Sequence, residues 1–134
     1  MLGVINLYKS NGYNTYKQNS ITSASREQLL LMLVDGAVKF VKRGRIAIEE
    51  KNISDAHSNL VRVQDIFSEL MATLDRNAGK WVEDLFNLYA FINRTVAEAN
   101  LKKDVKILDD AIELIVEVRD MWHEAYKLSK GQLA

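Results

Sequence analysis

The side chains able to do chemistry are few in this sequence. Cysteine is absent and histidine occurs twice, at His57 and His123, which removes thiolate catalysis, disulfides and cysteine-ligated zinc and fits a reducing compartment. The one spacing that looks like a metal-ligand pair is Asp120-x-x-His123. A carboxylate di-metal centre in a helical bundle needs two Glu-x-x-His pairs and two further inward acids, and helical projection puts Asp120 and His123 on a polar, solvated face. His57 follows Ala56 at a helix start, with no nucleophile in reach. Glu49-Glu50 and Asp109-Asp110 are sequence neighbours, so on a helix their carboxylates point about 100° apart and cannot readily share a proton. Lys39, Lys42, Arg43 and Arg45 form a basic stretch, but Asp35, Glu49 and Glu50 offset it and no glycine-rich phosphate loop accompanies it. With 18 basic and 18 acidic side chains the formal net charge is zero, whereas a protein of nucleic acid or anionic membranes normally carries a basic excess. These residues point to a non-enzymatic protein with no cofactor, no metal and no nucleic-acid partner.

The elements that must position these residues are helices. The chain has 134 residues, 48% of them hydrophobic, which is enough for one self-sufficient domain. Proline is absent, although average usage would place about six or seven in this length, so nothing interrupts a helical run. The longest apolar stretch, from Leu29 to Val34, has six residues, against the about 20 that a membrane span requires. The start of the chain lacks a charged-then-apolar signal pattern, and a cytoplasmic protein with no membrane insertion is expected. Residues 1–20 are rich in Asn, Ser, Gly and Lys, with Tyr8, Tyr13 and Tyr16 scattered among them; they read as a flexible N-terminal segment preceding a bundle domain over residues 21–134.

Ser25 with Gln28 three residues on has the form of a capping box, starting a helix that runs to about Lys51 with a core stripe of Leu29, Leu33, Gly36, Ala37, Phe40, Gly44 and Ala47. Mid-helix Gly36 is expected to mark a close approach by a neighbouring helix, since glycine there costs about 1 kcal/mol against alanine. A break at Asn52-Ile53-Ser54, with Ser54 or Asp55 as cap, precedes a second helix striped by Ala56, Leu60, Val63, Phe67, Leu70 and Leu74. After Arg76-Asn77-Ala78-Gly79 a third helix, residues 80 to about 100, carries Trp81, Leu85, Leu88, Ile92, Val96 and Ala99; a fourth, capped by Asp104 and running to about Lys127, carries Leu108, Ile112, Ile115, Trp122 and Tyr126. Short turns force sequential neighbours antiparallel, so the expected fold is all-α, an up-down-up-down four-helix bundle.

A bundle helix needs an apolar arc only a little over 100° wide, and three helices exceed it. Helix one has a second stripe of Leu31, Val34, Val38 and Val41; helix three adds Val82, Phe86 and Tyr89; helix four adds Ile107, Ala111, Leu114, Val118, Met121 and Ala125. Neighbouring helices and the N-terminal segment could bury them, a second copy could, or they could form a groove for an amphipathic or disordered partner chain. The groove reading makes Leu31, Val34, Val38, Val41, Val82, Phe86, Tyr89, Ile107, Leu114, Val118 and Met121 candidate contacts, with Tyr8, Tyr13 and Tyr16 folding back as a cap.

The stretch Ser23-Ala24-Ser25-Arg26-Glu27-Gln28-Leu29-Leu30-Leu31-Met32-Leu33-Val34-Asp35-Gly36-Ala37 resembles the flagellin-specific export chaperones, the FliS family. That family typically reads Thr/Ser-Ala-Ser/Thr-Pro, a leucine-rich turn, then Tyr-Asp-Gly-Ala. The likeness extends upstream through Tyr16-Lys17-Gln18-Asn19-Ser20. Downstream it continues through Leu74-Asp75, Gly79, Asn87-Leu88-Tyr89, Ala99-Asn100-Leu101-Lys102-Lys103-Asp104 and Val118-Arg119-Asp120-Met121-Trp122, covering about residues 13 to 126. Arg26 stands where the family usually has proline, and Val34 where it usually has tyrosine. The resemblance implies a helical bundle without enzymatic activity that binds the C-terminal segment of flagellin in the cytoplasm, prevents premature polymerisation and delivers it to the flagellar type III export gate. It also implies that the N-terminal segment occupies part of the site in the free state. A monomer or weak homodimer fits; the alternative is a helical homo-oligomeric adaptor with no flagellin partner.

Overall fold

The computed structural model describes residues 25–131, so the proposed cap residues Tyr8, Tyr13 and Tyr16 and the boundary expected near residue 20 lie outside the described residues. Four helices follow one another: α1 over Arg26–Glu49, α2 over Ile53–Ala72, α3 over Lys80–Lys102 and α4 over Val105–Gly131. Each begins where a side chain or a backbone conformation satisfies orphan amides. Ser25 Oγ accepts from the Gln28 amide at 3.2 Å, but the Gln28 side chain donates to Tyr126 Oη at 3.5 Å instead of reaching back. The α2 cap is Asn52, neither Ser54 nor Asp55: its Oδ1 accepts from the Asp55 amide and its Nδ2 donates to the Asp55 carboxylate, both at 3.1 Å. Gly79 caps α3 at φ 135°, a backbone conformation open to glycine. Asp104 caps α4, its Oδ1 accepting from the amides of Lys106 and Ile107 at 2.8 and 3.3 Å. The first and third helices end on left-handed lysines, Lys51 at φ 59° and Lys103 at φ 50°, each followed by an amide that reaches back five residues, Asn52 to the Ala47 carbonyl and Asp104 to the Ala99 carbonyl.

The four helices close into a ring in which α1 packs on α2 and α4, and α3 on α2 and α4. Cross-helix pairs give the direction. Between α1 and α4, Arg45 meets Asp109, Asp35 meets His123 and Gln28 meets Tyr126; one number falls as the other rises, so the two run antiparallel. The same holds between α2 and α3, where Asn100 meets His57 and Asn93 meets Ser68.

The ring buries more of each helix than the sequence reading allowed. A helix flanked on two sides presents an arc about twice as wide as one packed on a single neighbour, and one continuous core takes Leu33, Val34, Ala37, Val38 and Val41 of α1 together with Leu60, Val63, Ile66, Phe67 and Leu70 of α2. Tyr89, Ile92 and Val96 of α3 and Leu108, Ala111, Ile115 and Val118 of α4 complete it. The face of α1 is therefore turned relative to the expected stripe: Phe40, placed at its centre by sequence, is half-buried and lies under the Arg62 guanidinium at 4.5 Å from the ring centroid. Trp81, also expected in the core, is 60% exposed, while Val82 beside it in the first turn of α3 is buried in its place. The expected close approach at Gly36 occurs at Gly44. A Cβ at Gly36 would lie 3.4 Å from Ile66 Cδ1, an ordinary contact, whereas one at Gly44 would lie 2.6 Å from Leu60 Cδ2 and 2.9 Å from Leu60 Cγ.

Candidate functional site

The polar side chains that cross between helices are engaged in holding the bundle. Arg45 grips Asp109 through Nε at 2.6 Å and Nη2 at 3.1 Å. That hydrogen bonding holds the Asp109 carboxyl below the usual carboxylate range. His123 Nε2 lies 2.7 Å from Asp35 Oδ1, tying α4 to α1. His57 Nδ1 lies 3.2 Å from Asn100 Nδ2, and Lys103 Nζ donates to the Asn100 side-chain and backbone oxygens at 2.9 and 2.6 Å. Among the described residues no group of three or more His, Cys, Asp or Glu could hold a metal ion, and no helix is long and apolar enough to cross a membrane.

The eleven stripe residues divide by depth. Val34, Val38, Val41, Tyr89 and Val118 belong to the core, and Val82 is buried as well; they do not line an open groove in this state. Tyr89 shows why α3 and α4 carry surplus apolar width: its ring packs edge-on against Phe67 with centroids 5.7 Å apart, and its hydroxyl accepts from Trp122 Nε1 at 2.8 Å. Burial pushes the Tyr89 phenol up to about 12, against the opposing effect of that hydrogen bond. Leu31, Ile107 and Leu114 are half-buried against the core. Phe86 is half-buried outside it, beneath the Arg76 guanidinium at 3.8 Å from the ring centroid, with Arg76 also paired to Glu83 at 2.7 Å. Met121 is 43% exposed and is the one stripe residue on the open surface.

The apolar surface that remains lies largely elsewhere. Met32, Trp81, Met121 and Leu128 are all exposed, and the antiparallel order puts all four toward the same end of the bundle, where α1 and α3 begin and α2 and α4 finish. At that end a groove of about 530 Å³ is walled by Leu29, Leu30 and Leu33, with Thr73 opposite and Arg26 and Glu27 on the rim. Hydrogen bonding to backbone and to the Ser25 hydroxyl holds the Glu27 carboxyl below its ordinary range, so the rim presents both signs of charge around a leucine wall. Such a surface has no reacting group and suits the side chains of an amphipathic segment. Ile46, Ile53 and Leu101 are exposed toward the opposite end.

Sequence reasoning missed this distribution because it assigned Leu29 and Trp81 to the core by periodicity alone, an assignment that held for Leu33, which is buried. In the first turn of α3 phase still decides, since Val82 is buried while Trp81 beside it is exposed.

The family model described as "FliS: Flagellar protein FliS" matches residues 9–129. The chain is similar to the flagellar secretion chaperone FliS of Bacillus subtilis, 33% identical over 115 residues that cover 86% of each chain. It is similar to that of Vibrio cholerae, 32% identical over 114 residues, 81% of this chain and 84% of the relative. With that of Escherichia coli it shares 26% identity over 125 residues, 89% and 92% of the two chains.

Proposed function

The chain belongs to the FliS family of flagellar proteins, whose matched relatives are named flagellar secretion chaperones and not enzymes, and from that premise we propose that it binds the disordered C-terminal segment of flagellin in the cytoplasm, keeps it from polymerising and hands it to the flagellar export gate. The observation that carries the reading is the leucine-walled groove at the start of α1, beside the exposed Met32, Trp81, Met121 and Leu128. A disordered segment that folds against this end would cover its own filament-forming contacts while it is held. Coupled folding of this kind costs about 2–5 kcal/mol in ordering, so the anchors must be apolar and several. Ser25, which follows residues 1–24 in sequence, stands at this same end, and a cap formed by Tyr8, Tyr13 and Tyr16 would compete with the guest. The half-buried stripe residues Leu31, Ile107 and Leu114 would become contacts where the guest displaces their cover, and Val34, Val38, Val41, Val82, Tyr89 and Val118 would support them from below.

Calorimetric titration of the full chain with a peptide of flagellin's C-terminal segment tests the reading. One-to-one binding with a negative heat-capacity change is expected, and Leu29→Asp should weaken it at least tenfold. Heat limited to dilution would refute it.

A further inference from the structure

The exposed apolar residues of α3 and α4 fall on one seam. Asn93 and Asn100 mark the flank of α3 that meets α2, and helical projection puts Trp81, Leu88 and Phe91 on the opposite flank, toward α4. On α4, Asp109 and His123 mark the flank that meets α1, while Ile107, Leu114, Met121 and Leu128 recur every seven residues along the other. The two helices are joined by one short turn and run antiparallel, and the hydrogen bond from Trp122 to Tyr89 sets their register. Counting away from that bond brings Phe91 level with Met121 and Trp81 nearly level with Leu128. All four are exposed, and Leu88 and Leu114 are half-buried between them. This seam is also the least closely packed of the four, so the apolar strip lies along a furrow.

Charge is separated around the bundle although the chain's formal net charge is zero. Asp110, Glu113, Glu117 and Glu124 follow the α4 border of the furrow, all exposed, and none makes an ion pair among the described residues. The opposite charge sits on the outward crest of α1, where Lys39, Lys42 and Arg43 are exposed and likewise form no ion pair among the described residues. Along that crest Met32, Lys39 and Ile46 recur every seven residues, with Met32 and Ile46 more than half exposed. Met32 to Ile46 and Leu114 to Leu128 are equal spans, about 21 Å each at 1.5 Å per residue.

We infer that the α3–α4 furrow docks a second copy of this chain, which lays the basic crest of its α1 along the strip. Crest and furrow match in period, length and charge, and a corner helix of one bundle fits the groove between two helices of another. Met32 and Ile46 then reach the two ends of the strip. The Lys39 stem crosses Phe91 and its ammonium reaches the carboxylate border, where Lys42 and Arg43 pair with Glu113 and Glu117. The two faces differ, so the contact is heterologous and copies add head to tail. It covers Trp81, Phe91, Met121 and Leu128 in the free protein and does not rest on flagellin binding.

Sedimentation velocity of the full chain, with no guest present, tests the contact. Wild type is expected to grow with concentration past the mass of a dimer, and to associate at least tenfold more weakly at about 500 mM salt than at about 50 mM, where charges are screened less. Two variants reverse one face each: Lys42→Glu with Arg43→Glu on α1, and Glu113→Lys with Glu117→Lys on α4. All four positions are exposed, and both variants should melt as wild type does. Each variant alone sets like charges together and should stay monomeric. An equimolar mixture restores opposite charges at every contact and should associate as wild type does. Phe91→Ser should weaken association at least tenfold. A wild type that stays monomeric at every concentration overturns the proposal. Association retained by either charge-reversed variant also overturns it, since a contact between two like faces survives reversal of the other face. A mixture that stays monomeric, or association untouched by Phe91→Ser, overturns it as well.

Discussion

Adding one methyl group to α1 should have opposite effects at two glycines eight residues apart. In a helix interior Gly→Ala gains about 1 kcal/mol from backbone entropy alone. At Gly36 the new Cβ meets Ile66 Cδ1 at 3.4 Å and Phe40 at 3.8 Å, both ends of side chains at ordinary contact distance, so most of that gain survives. At Gly44 it meets Leu60 at 2.6 Å from Cδ2 and 2.9 Å from Cγ. Moving Cγ means moving the whole leucine, and Leu60 is fully buried, so α1 and α2 must separate or Leu60 must leave its rotamer. Overpacking of this kind costs about 1–3 kcal/mol, which outweighs the propensity gain. Gly36→Ala is expected to be stabilised by up to about 1 kcal/mol and Gly44→Ala to be destabilised by about 1 kcal/mol, and at about 4 °C per kcal/mol for a domain of this size the two melting temperatures should straddle wild type. Thermal unfolding followed by circular dichroism reads both. A double variant sharpens the argument: Leu60→Ala alone should cost about 2–5 kcal/mol through its cavity, and Gly44→Ala added to it should restore stability, because the methyl now enters vacated space. Gly44→Ala melting above wild type would refute the close approach of α1 and α2.

Three further outcomes follow from the same packing. Val38 is 6% exposed, so Val38→Glu buries an unpaired carboxylate and should cost about 3 kcal/mol or more, read as a large drop in melting temperature; an unchanged melt would return Val38 to the surface. Because the Tyr89 phenol is pushed up to about 12 in the folded chain, its share of stability is present below the unfolded value of about 10 and is lost as pH rises toward 12. Denaturant titrations should therefore show wild type losing up to about 3 kcal/mol more than Tyr89→Phe across that window, and parallel losses would refute the burial argument. Deleting residues 1–17 should leave the helix content intact and peptide affinity equal or higher; if the segment covers the site in nine molecules of ten, removal strengthens binding about tenfold, and a truncated chain that no longer binds would show that the segment makes contacts of its own.

Much of the fold was legible in the sequence, and the misses have physical causes. In α2 the stripe positions Ala56, Leu60, Val63, Phe67 and Leu70 are all buried as expected, because a helix with one apolar face leaves periodicity nearly unambiguous, although the stripe omits buried Ile66 and extends to Leu74 beyond the helix end. In α1 the apolar residues cover so much of the circumference that periodicity has no single phase, and packing on both α2 and α4 decided that Val34, Val38 and Val41 go inward while Phe40 stays at the edge. The α2 cap at Asn52 was shifted from Ser54 or Asp55 because Lys51 adopts the left-handed conformation and ends α1 earlier than expected. The unpartnered side-chain oxygen of Asn93 has no signature in the sequence at all; it arises only when α3 sets Asn93 against Ser68 of α2, where its Nδ2 finds a partner and its buried Oδ1 does not.

Seeded growth of flagellin filaments in the presence of this chain tests the central claim most directly. Added at one equivalent to monomeric flagellin, the chain should halt elongation, and flagellin lacking its C-terminal segment should not be retained by it in a binding assay. Undiminished filament growth at a severalfold excess of the chain would contradict the account.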